Sequence, residues 1–444
     1  SLQKMKAENL ALIEKLEDRV SLLEYSYLAD GKVWTDALQT ALQEHEYIII
    51  PKSNEPYYID RPVKIPSNRH IEAEYGAVIK LVEGCELLML RNENTRNGTH
   101  APIKKGDENF NISINGGLWE ESRVTRAGYG KSGKYDEERS FFGVSALMFF
   151  NNIENLTITN VTFSHTAGFA VQIGNVKNAV FENIRFVSYF ADGIHCNGNT
   201  ENLLVMNLDG EVGDDLIALN MYDWQDSSVN FGPMKNVWCE NVSLKSTTIC
   251  SSQRILPGIY YYDDGTSVDC SATDIVLKNF TGVNVFKMYY QTPAYYITDT
   301  PERGEVGTGK NIYFEDINLD LFCPGDGLPN YLNSYPLTGF FGAFEIGADI
   351  DGLYLENIRV KLYRDKYPLS YLMMVGPKSY RTDGGKEIFD PNVSCRVKNV
   401  HFKNVFVNEE KIDSSKFVKE VEFNDVYNDG KAFGKGKIEE IEYE

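Results

Sequence analysis

The sequence predicts an all-β chain wound as a parallel β-helix, a solenoid preceded by a short N-terminal helical segment. Three observations predict it. A nine-residue phrase recurs along the chain, its apolar residues alternate, and its shortest spacing is 23 residues. The phrase is Asn, apolar, any, apolar, any, Asn or Asp, apolar, any, apolar. It opens as Asn155-Leu-Thr-Ile-Thr-Asn160-Val-Thr-Phe163 and Asn178-Ala-Val-Phe-Glu-Asn183-Ile-Arg-Phe186. It returns at Asn202 to Leu208, Asn236 to Leu244, Asp274 to Phe280, Asn311 to Leu319, Gly352 to Val360 and Asn399 to Val407.

Alternation is the period of a strand with one buried face. The second Asn or Asp falls at 160, 183, 207, 241, 279, 316, 357 and 404, so the intervals widen from 23 residues to 47. The shortest interval is one coil, and the excess is loop. Coils of a parallel β-helix stack about 4.8 Å apart, which lets equivalent Asn side chains hydrogen-bond as a ladder. Seven Asn-x-Ser/Thr sequons, among them Asn155 and Asn241, sit mostly inside the phrase and are read as ladder residues rather than glycan sites.

Upstream, Asn111-Ile-Ser-Ile-Asn115 is a weaker copy, and Arg69 to Ile79 reads as an earlier coil. Trp34 to Gln43 predicts a helix with Thr35 as N-cap, placed to cover the open end of the solenoid. Residues 3 to 27 show a helical pattern with Ile13, Leu16, Val20, Leu23 and Tyr27 at spacings of three and four. Packing on the solenoid and oligomerisation are both open for this segment. The expected organisation is a helical segment over 1–30 and a β-helix domain over 31–444 that includes the cap helix. The acidic tail Ile438 to Glu444 reads as a solvated end.

Composition bounds the partners. Of 444 residues 42% are hydrophobic and 24% charged, enough for a large core. The formal charge of −20 argues against nucleic acid, and an acidic substrate needs local Arg or Lys. No apolar run long enough to span a membrane and no signal peptide is legible. The compartment stays open: secreted or periplasmic if a leader preceded Ser1, otherwise cytoplasmic. The seven cysteines lack zinc-type spacing, so neither a disulfide framework nor a metal centre is expected, and no cofactor is implied.

Aligned as coils, the segments after each phrase form a column in which polar residues concentrate: Gly168 to Gly174, Ala191 to Gly198, Gly213 to Asn220, Ser252 to Gly258, Asn284 to Gln291 and Gly342 to Gly347. Asp192 and Asp214 are 22 apart, almost one coil, with Asp215 beside the second. Crowded carboxylates separate into an acid and a base, the pair that glycoside hydrolysis needs. The same Asp-Gly and Gly-Asp-Asp sequences also suit turns. His195 is either a structural His or a substrate contact; if the strand carries 192 outward, 194 follows and 195 tends inward unless Gly193 resets it. Arg254 and Lys287, one coil apart, either bind a uronate carboxylate or neutralise the Asp cluster. Glu345, between Phe344 and Ile346, faces away from them and reads as a charge partner or sugar ligand. The aromatic groups Tyr260 to Tyr262, Tyr289-Tyr290 and Tyr295-Tyr296 suit either a cleft wall or core packing. Trp224 is the aromatic most readily placed in a cleft, and Asn220 closes the Asp-Asp strand.

Asp192-Gly-Ile and Gly213-Asp-Asp-Leu-Ile-Ala-Leu219, at this spacing, resemble the motifs of glycoside hydrolase family 28, the polygalacturonase-like enzymes of the pectin-lyase-fold superfamily. The family's Gly-His-Gly and Arg-Ile-Lys motifs do not occur, and Ala191 replaces its Thr. The resemblance implies a right-handed parallel β-helix and a glycoside hydrolase acting on a polysaccharide or branched oligosaccharide, pectin-like or another glycan. By the family's roles Asp214 is the general acid, Asp192 and Asp215 hold and deprotonate water, and the anomeric carbon inverts. His195, Asn220, Trp224, Arg254, Lys287, Tyr289 and Glu345 are the expected substrate contacts. Two other readings stay open: a β-helical polysaccharide lyase with Arg254 or Lys287 as base, and a glycan-binding solenoid without catalysis.

Overall fold

The computed structural model describes residues 1–85, 88–95, 106–121, 144–187, 191–223, 228–246, 252–283, 285–290, 306–321, 341–365, 370–376, 380–383, 386–389, 394–417, 421–422, 427–428, 431–432 and 435–444. They form two compact units, one of Ser1–Gly213 with Gln225–Asn230, the other of Asp214–Trp224 with Phe231–Glu444.

In the first unit, α1 (Leu2–Glu14), β1 (Arg19–Ser21), a 3-10 segment (Leu22–Leu28) and α2 (Thr35–Glu44) precede β2 (Tyr47–Ile50), β3 (Arg69–Ala73), β4 (Asn109–Asn115), β5 (Ala146–Thr159), β6 (Phe169–Val187) and β7 (Ile194–Val212). The strands pair in parallel with one register, Val20, Ile48, Ile71, Ile114, Ile158, Phe181 and Val205 lying side by side. All are buried, so this column is one wall of the core. The solenoid therefore starts well before residue 150, as the weak upstream copies predicted.

The second unit repeats the plan. Its longer strands are β9 (Met234–Ser246), β13 (Ala272–Thr281), β15 (Thr308–Leu321), β17 (Asp349–Leu362), β19 (Ser394–Val407) and β20 (Lys435–Tyr443). They stack Val237, Ile275, Ile312, Leu353, Val400 and Ile441. A second run of parallel pairings joins β8 (Ile217–Asn220), β10 (Gln253–Leu256), β14 (Phe286–Tyr289), β16 (Phe341–Gly347) and β18 (Ser370–Val375). Between β10 and β13 the chain makes a hairpin of β11 (Gly258–Tyr261) and β12 (Ser267–Cys270). Each unit is thus a stack of parallel β coils, the fold the phrase predicts.

The Asn residues of the phrase sit at its turns in the left-handed region: Asn155 at φ 67°, Asn178 at 60°, Asn202 at 59°. Asn tolerates that conformation better than other side chains. The freed carboxamides form ladders, Asn111 to Asn68 (2.7 Å), Asn155 to Asn111 (2.8 Å), Asn178 to Asn155 (3.1 Å) and Asn202 to Asn178 (2.8 Å). A second ladder runs from Asn207 to Asn183 and Asn160 to Asn115; in the other unit Asn279 donates to Asn241 and Asn357 to Asp316. Sequons Asn111, Asn155, Asn160, Asn241 and Asn279 occupy such positions, while Asn97 and Asn392 lie outside the described residues. A third ladder, Asn152, Asn175 and Asn199, lies outside the recurring phrase.

Three sequence expectations change. The helical pattern over 3–27 breaks after Glu14: Val20 enters a strand and extends the apolar column by one rung. α1 packs on the first unit, where Lys6 meets Glu182 (2.5 Å) and Asn9 donates to the Asn178 carbonyl (2.9 Å). Thr35 is not the N-cap of α2; Trp34 holds that position, because the Thr35 hydroxyl donates to Asp60 (2.6 Å) instead. The acidic tail is the last rung, β20, with Glu439 accepting from Arg396 (2.6 Å) and Glu442 beside His401 (3.0 Å). Of the five described cysteines Cys196, Cys239, Cys270 and Cys395 are buried, and burial pushes the Cys270 thiol up to about 12. Among the described residues no helix is long and apolar enough to cross a membrane.

Candidate functional site

In the second unit the register of β8, β10, β14 and β16 places Ala218, Arg254, Lys287 and Glu345 on successive rungs. Their neighbours Ile255, Met288 and Ile346 are in the core, so strand alternation turns Arg254, Lys287 and Glu345 to the outer face. Lys287 and Glu345 are nonetheless 5% and 6% exposed. Charged side chains that point away from an apolar core yet see almost no solvent form a structured column rather than a solvated surface.

Asp214 and Asp215 stand at the head of that column, where the chain turns into β8. Arg254 Nε lies 2.9 Å from Asp215 Oδ2, and a terminal nitrogen of the same guanidinium lies 3.6 Å from Asp214 Oδ1. The Ser252 hydroxyl donates to the other oxygen of Asp215. Ser252 lies just before β10 and two residues before Arg254, so its side chain reaches the same carboxylate; it is not singled out from the sequence, although that period-two spacing is its signal. Asp215 is fully enclosed, whereas the Asp214 side chain is 16% exposed. Asp214 is therefore the carboxyl that a solvent-borne group meets first. An oxygen of each lies within 4.8 Å of the other. The two could each offer an oxygen to a cation; the positive charge facing them here is Arg254.

Asn220, at the end of β8, is buried and donates to Asp223 (2.8 Å), while its own Oδ1 is buried without a hydrogen-bond partner among the described residues. Tyr289 is buried at the end of β14, two residues from Lys287. Trp224 lies outside the described residues, as do Asn284 and Tyr295-Tyr296. Tyr260 and Tyr290 serve packing: Tyr260 stacks on Phe231 (3.9 Å, 5°), and Tyr290 meets Tyr222 edge-on (5.1 Å) and donates to the Ile259 carbonyl (3.0 Å). They pin the β11–β12 hairpin. A Cβ on Gly258 would meet the Tyr290 ring at 2.6 Å, so only glycine fits there.

In the first unit, Asp192 and His195 are a buried pair, Nδ1 to Oδ2 2.5 Å, with the imidazole stacked on Phe169 at 3.8 Å. Ile194 and Cys196 are in the core, so His195 faces outward beside Gln172. Of the two positions open to His195 this is the outward one, because β7 begins only at Ile194 and the turn at Gly193 resets the alternation. Gln172 donates to Asn197 Oδ1 (2.7 Å), and Asn197 Nδ2 is buried without a partner among the described residues.

No family model matches the chain, and no curated protein sequence matches it at the required significance. The resemblance to family 28 therefore stands on its two motifs. Among solved structures, a tailspike protein mutant of E. coli bacteriophage HK620, in complex with a pentasaccharide, is similar at a TM-score of 0.56 and 11% identity, over 88% of this chain and 63% of that one. The catalytic domain of a GH87 alpha-1,3-glucanase in complex with nigerose scores 0.47 at 14% identity, over 96% and 64%. PfbA, a surface adhesin of Streptococcus pneumoniae, scores 0.40 at 12% identity, over 96% and 90%. The neighbours thus include glycan-binding and glycan-cleaving proteins, and at this identity the likeness establishes the fold alone, a parallel β-helix.

Proposed function

We propose that the protein is a glycoside hydrolase acting on a polysaccharide or branched oligosaccharide, with Asp214, Asp215 and Asp192 as its carboxylates. The observation that supports this is the pair Asp214 and Asp215 on one guanidinium, at the head of an outward column of enclosed charges. Asp214, the more accessible of the two, gives its proton to the glycosidic oxygen as that bond breaks. Asp215, fixed by Ser252 and Arg254, holds the attacking water and takes its proton, and Asp192 is assigned the same role from its sequence motif. Arg254 and Lys287 suit an anionic sugar. Asn220 has an acceptor to spare, and His195, Tyr289, Glu345 and Trp224 are assigned to substrate contacts. A guanidinium stays charged in proteins, so in the lyase alternative Lys287 rather than Arg254 would be the base.

The test compares wild type with Asp214→Asn on pectic, plant and host glycans, following reducing ends and ultraviolet absorbance. Reducing ends without absorbance, lost in the variant, support hydrolysis. Absorbance means elimination, and binding without any product means a glycan-binding solenoid. Inverting carboxyl pairs are usually about 6.5–9.5 Å apart and retaining pairs about 5–5.5 Å. Asp214 and Asp215 approach within 4.8 Å at their closest oxygens, so the anomer first released, read by proton NMR, decides the stereochemistry.

A further inference from the structure

We propose that the first unit carries a second catalytic centre, a Ser113–His70–Glu72 relay that cleaves short-chain acyl esters. It stands apart from the glycosidase reading and does not depend on it. His70 on β3 and Ser113 on β4 are directly opposed in register. The Ser113 hydroxyl lies 2.6 Å from His70 Nδ1, and His70 Nε2 lies 2.7 Å from Glu72 Oε2. The two contacts use different ring nitrogens, as a relay requires.

Hydrogen-bond accounting sets the tautomer. Glu72 also accepts the Asn115 amide on Oε1 (2.7 Å), so both its oxygens act as acceptors. His70 Nε2 then carries the proton that Glu72 receives, and Nδ1 presents its lone pair to the Ser113 hydroxyl. Tyr47 packs on the ring at 4.6 Å and fixes its plane. The imidazole is buried, so the base is shielded from bulk water.

Ser113 lines a cleft of about 250 Å³ between α1 and the sheet. Leu12 and Ile13 of α1, with Leu16 just past its end, make an apolar wall, and Asn111 and Asn155 a polar one. That volume takes an acetyl-sized acyl group rather than a long chain. Thr157 is opposite Ser113 on the next rung and also lines the cleft; its hydroxyl is the donor assigned to the oxyanion.

The chemistry balances without a co-reactant other than water. Ser113 Oγ attacks the ester carbonyl carbon while its proton passes to His70 Nδ1. The tetrahedral adduct expels the alcohol, which takes that proton. Water then attacks the acyl-serine, gives a proton to His70, and releases the carboxylic acid as Ser113 regains its hydrogen. Ser113, His70 and Thr157 are catalytic residues, and Glu72 is a positioning residue.

The experiment treats the whole protein with a fluorophosphonate and maps the adduct by peptide mass, then measures 4-nitrophenyl acetate hydrolysis. The expected result is an adduct on Ser113 and hydrolysis that Ser113→Ala abolishes with an unchanged melting curve. Thr157→Val should slow hydrolysis about 10²-fold, and Glu72→Gln should lower kcat while leaving KM unchanged. Wild-type protein without an adduct at Ser113, or a Ser113→Ala variant that hydrolyses at the wild-type rate, overturns the proposal. Wild-type mapping decides the matter even if a variant folds poorly.

Discussion

Arg254 Nε lies 2.9 Å from Asp215 Oδ2, and that ion pair couples a rung of one coil to the turn that opens the coil before it. The partner carboxylate is enclosed, so the guanidinium offsets a charge that water cannot reach. Replacing Arg254 by Ala should destabilise the protein by about 3 kcal/mol, the low end for breaking a buried pair, because Ser252 still holds Asp215. The double variant Arg254→Ala/Asp215→Asn should recover part of that loss. Urea midpoints of the single and double variants give the comparison.

At Asn178 two effects coincide: a left-handed backbone with φ of 60° and a carboxamide bonded to both neighbouring rungs. Asn178→Ala should cost about 2–3 kcal/mol, since each ladder bond contributes about 1 kcal/mol and an L side chain in that region costs about 1 kcal/mol more. Asn178→Gly loses the bonds without the backbone penalty, so it should cost about 1 kcal/mol less than Ala. Equal costs would show that the side chain alone matters.

The last rung departs from the rule. Glu440 takes the left-handed conformation at φ 59°, at the place corresponding to Asn399 on the rung before. Glu440→Asn should stabilise the protein by about 1 kcal/mol, combining relief of backbone strain with a new amide for the ladder. A calorimetric scan would detect the gain. A melting temperature equal to or below the wild type's would refute it.

Glu315 belongs to a charged row on the outer face of the second unit, where Lys278 faces Glu240 (4.0 Å), Glu315 (3.9 Å) and Asp316 (3.9 Å). Burial raises the Glu315 carboxyl above its usual range; Lys278 opposes the shift, and Glu356, Asp316 and Glu240 add to it. The folded protein therefore binds this proton more tightly than the unfolded chain. Its ionisation costs no stability below the unfolded value, near 4.5, and the full cost is present above the raised folded value. Glu315→Gln should match wild-type stability near pH 4 and exceed it at pH 7. A constant difference across that range would contradict this assignment.

The solenoid was legible in the sequence because one residue answers three demands at once. An Asn such as Asn155 supplies the turn backbone, the ladder bond and the punctuation between apolar strands, so its recurrence marks each coil. The column of Arg254, Lys287 and Glu345 followed from counting coils. What escaped depends on neighbours rather than on local pattern. Val20 carries a helical spacing, yet Ile48 gives it a better surface as a strand. The side of His195 stays open in the sequence because a single turn at Gly193 shifts the alternation. The meeting of His70 and Ser113 joins residues 43 apart, and only the register of two strands brings them together.

The ladder positions have a consequence for how such a chain diversifies. Register is secured at the turns, by amide contacts between consecutive coils, and not by the segments that bridge them. Successive locks can therefore stand 23 or 47 residues apart without disturbing the stacked core, because lengthening a bridge adds only slowly to its closure entropy. Whole segments between two consecutive Asn locks can therefore be lengthened, shortened or transplanted while the coil on either side keeps its place.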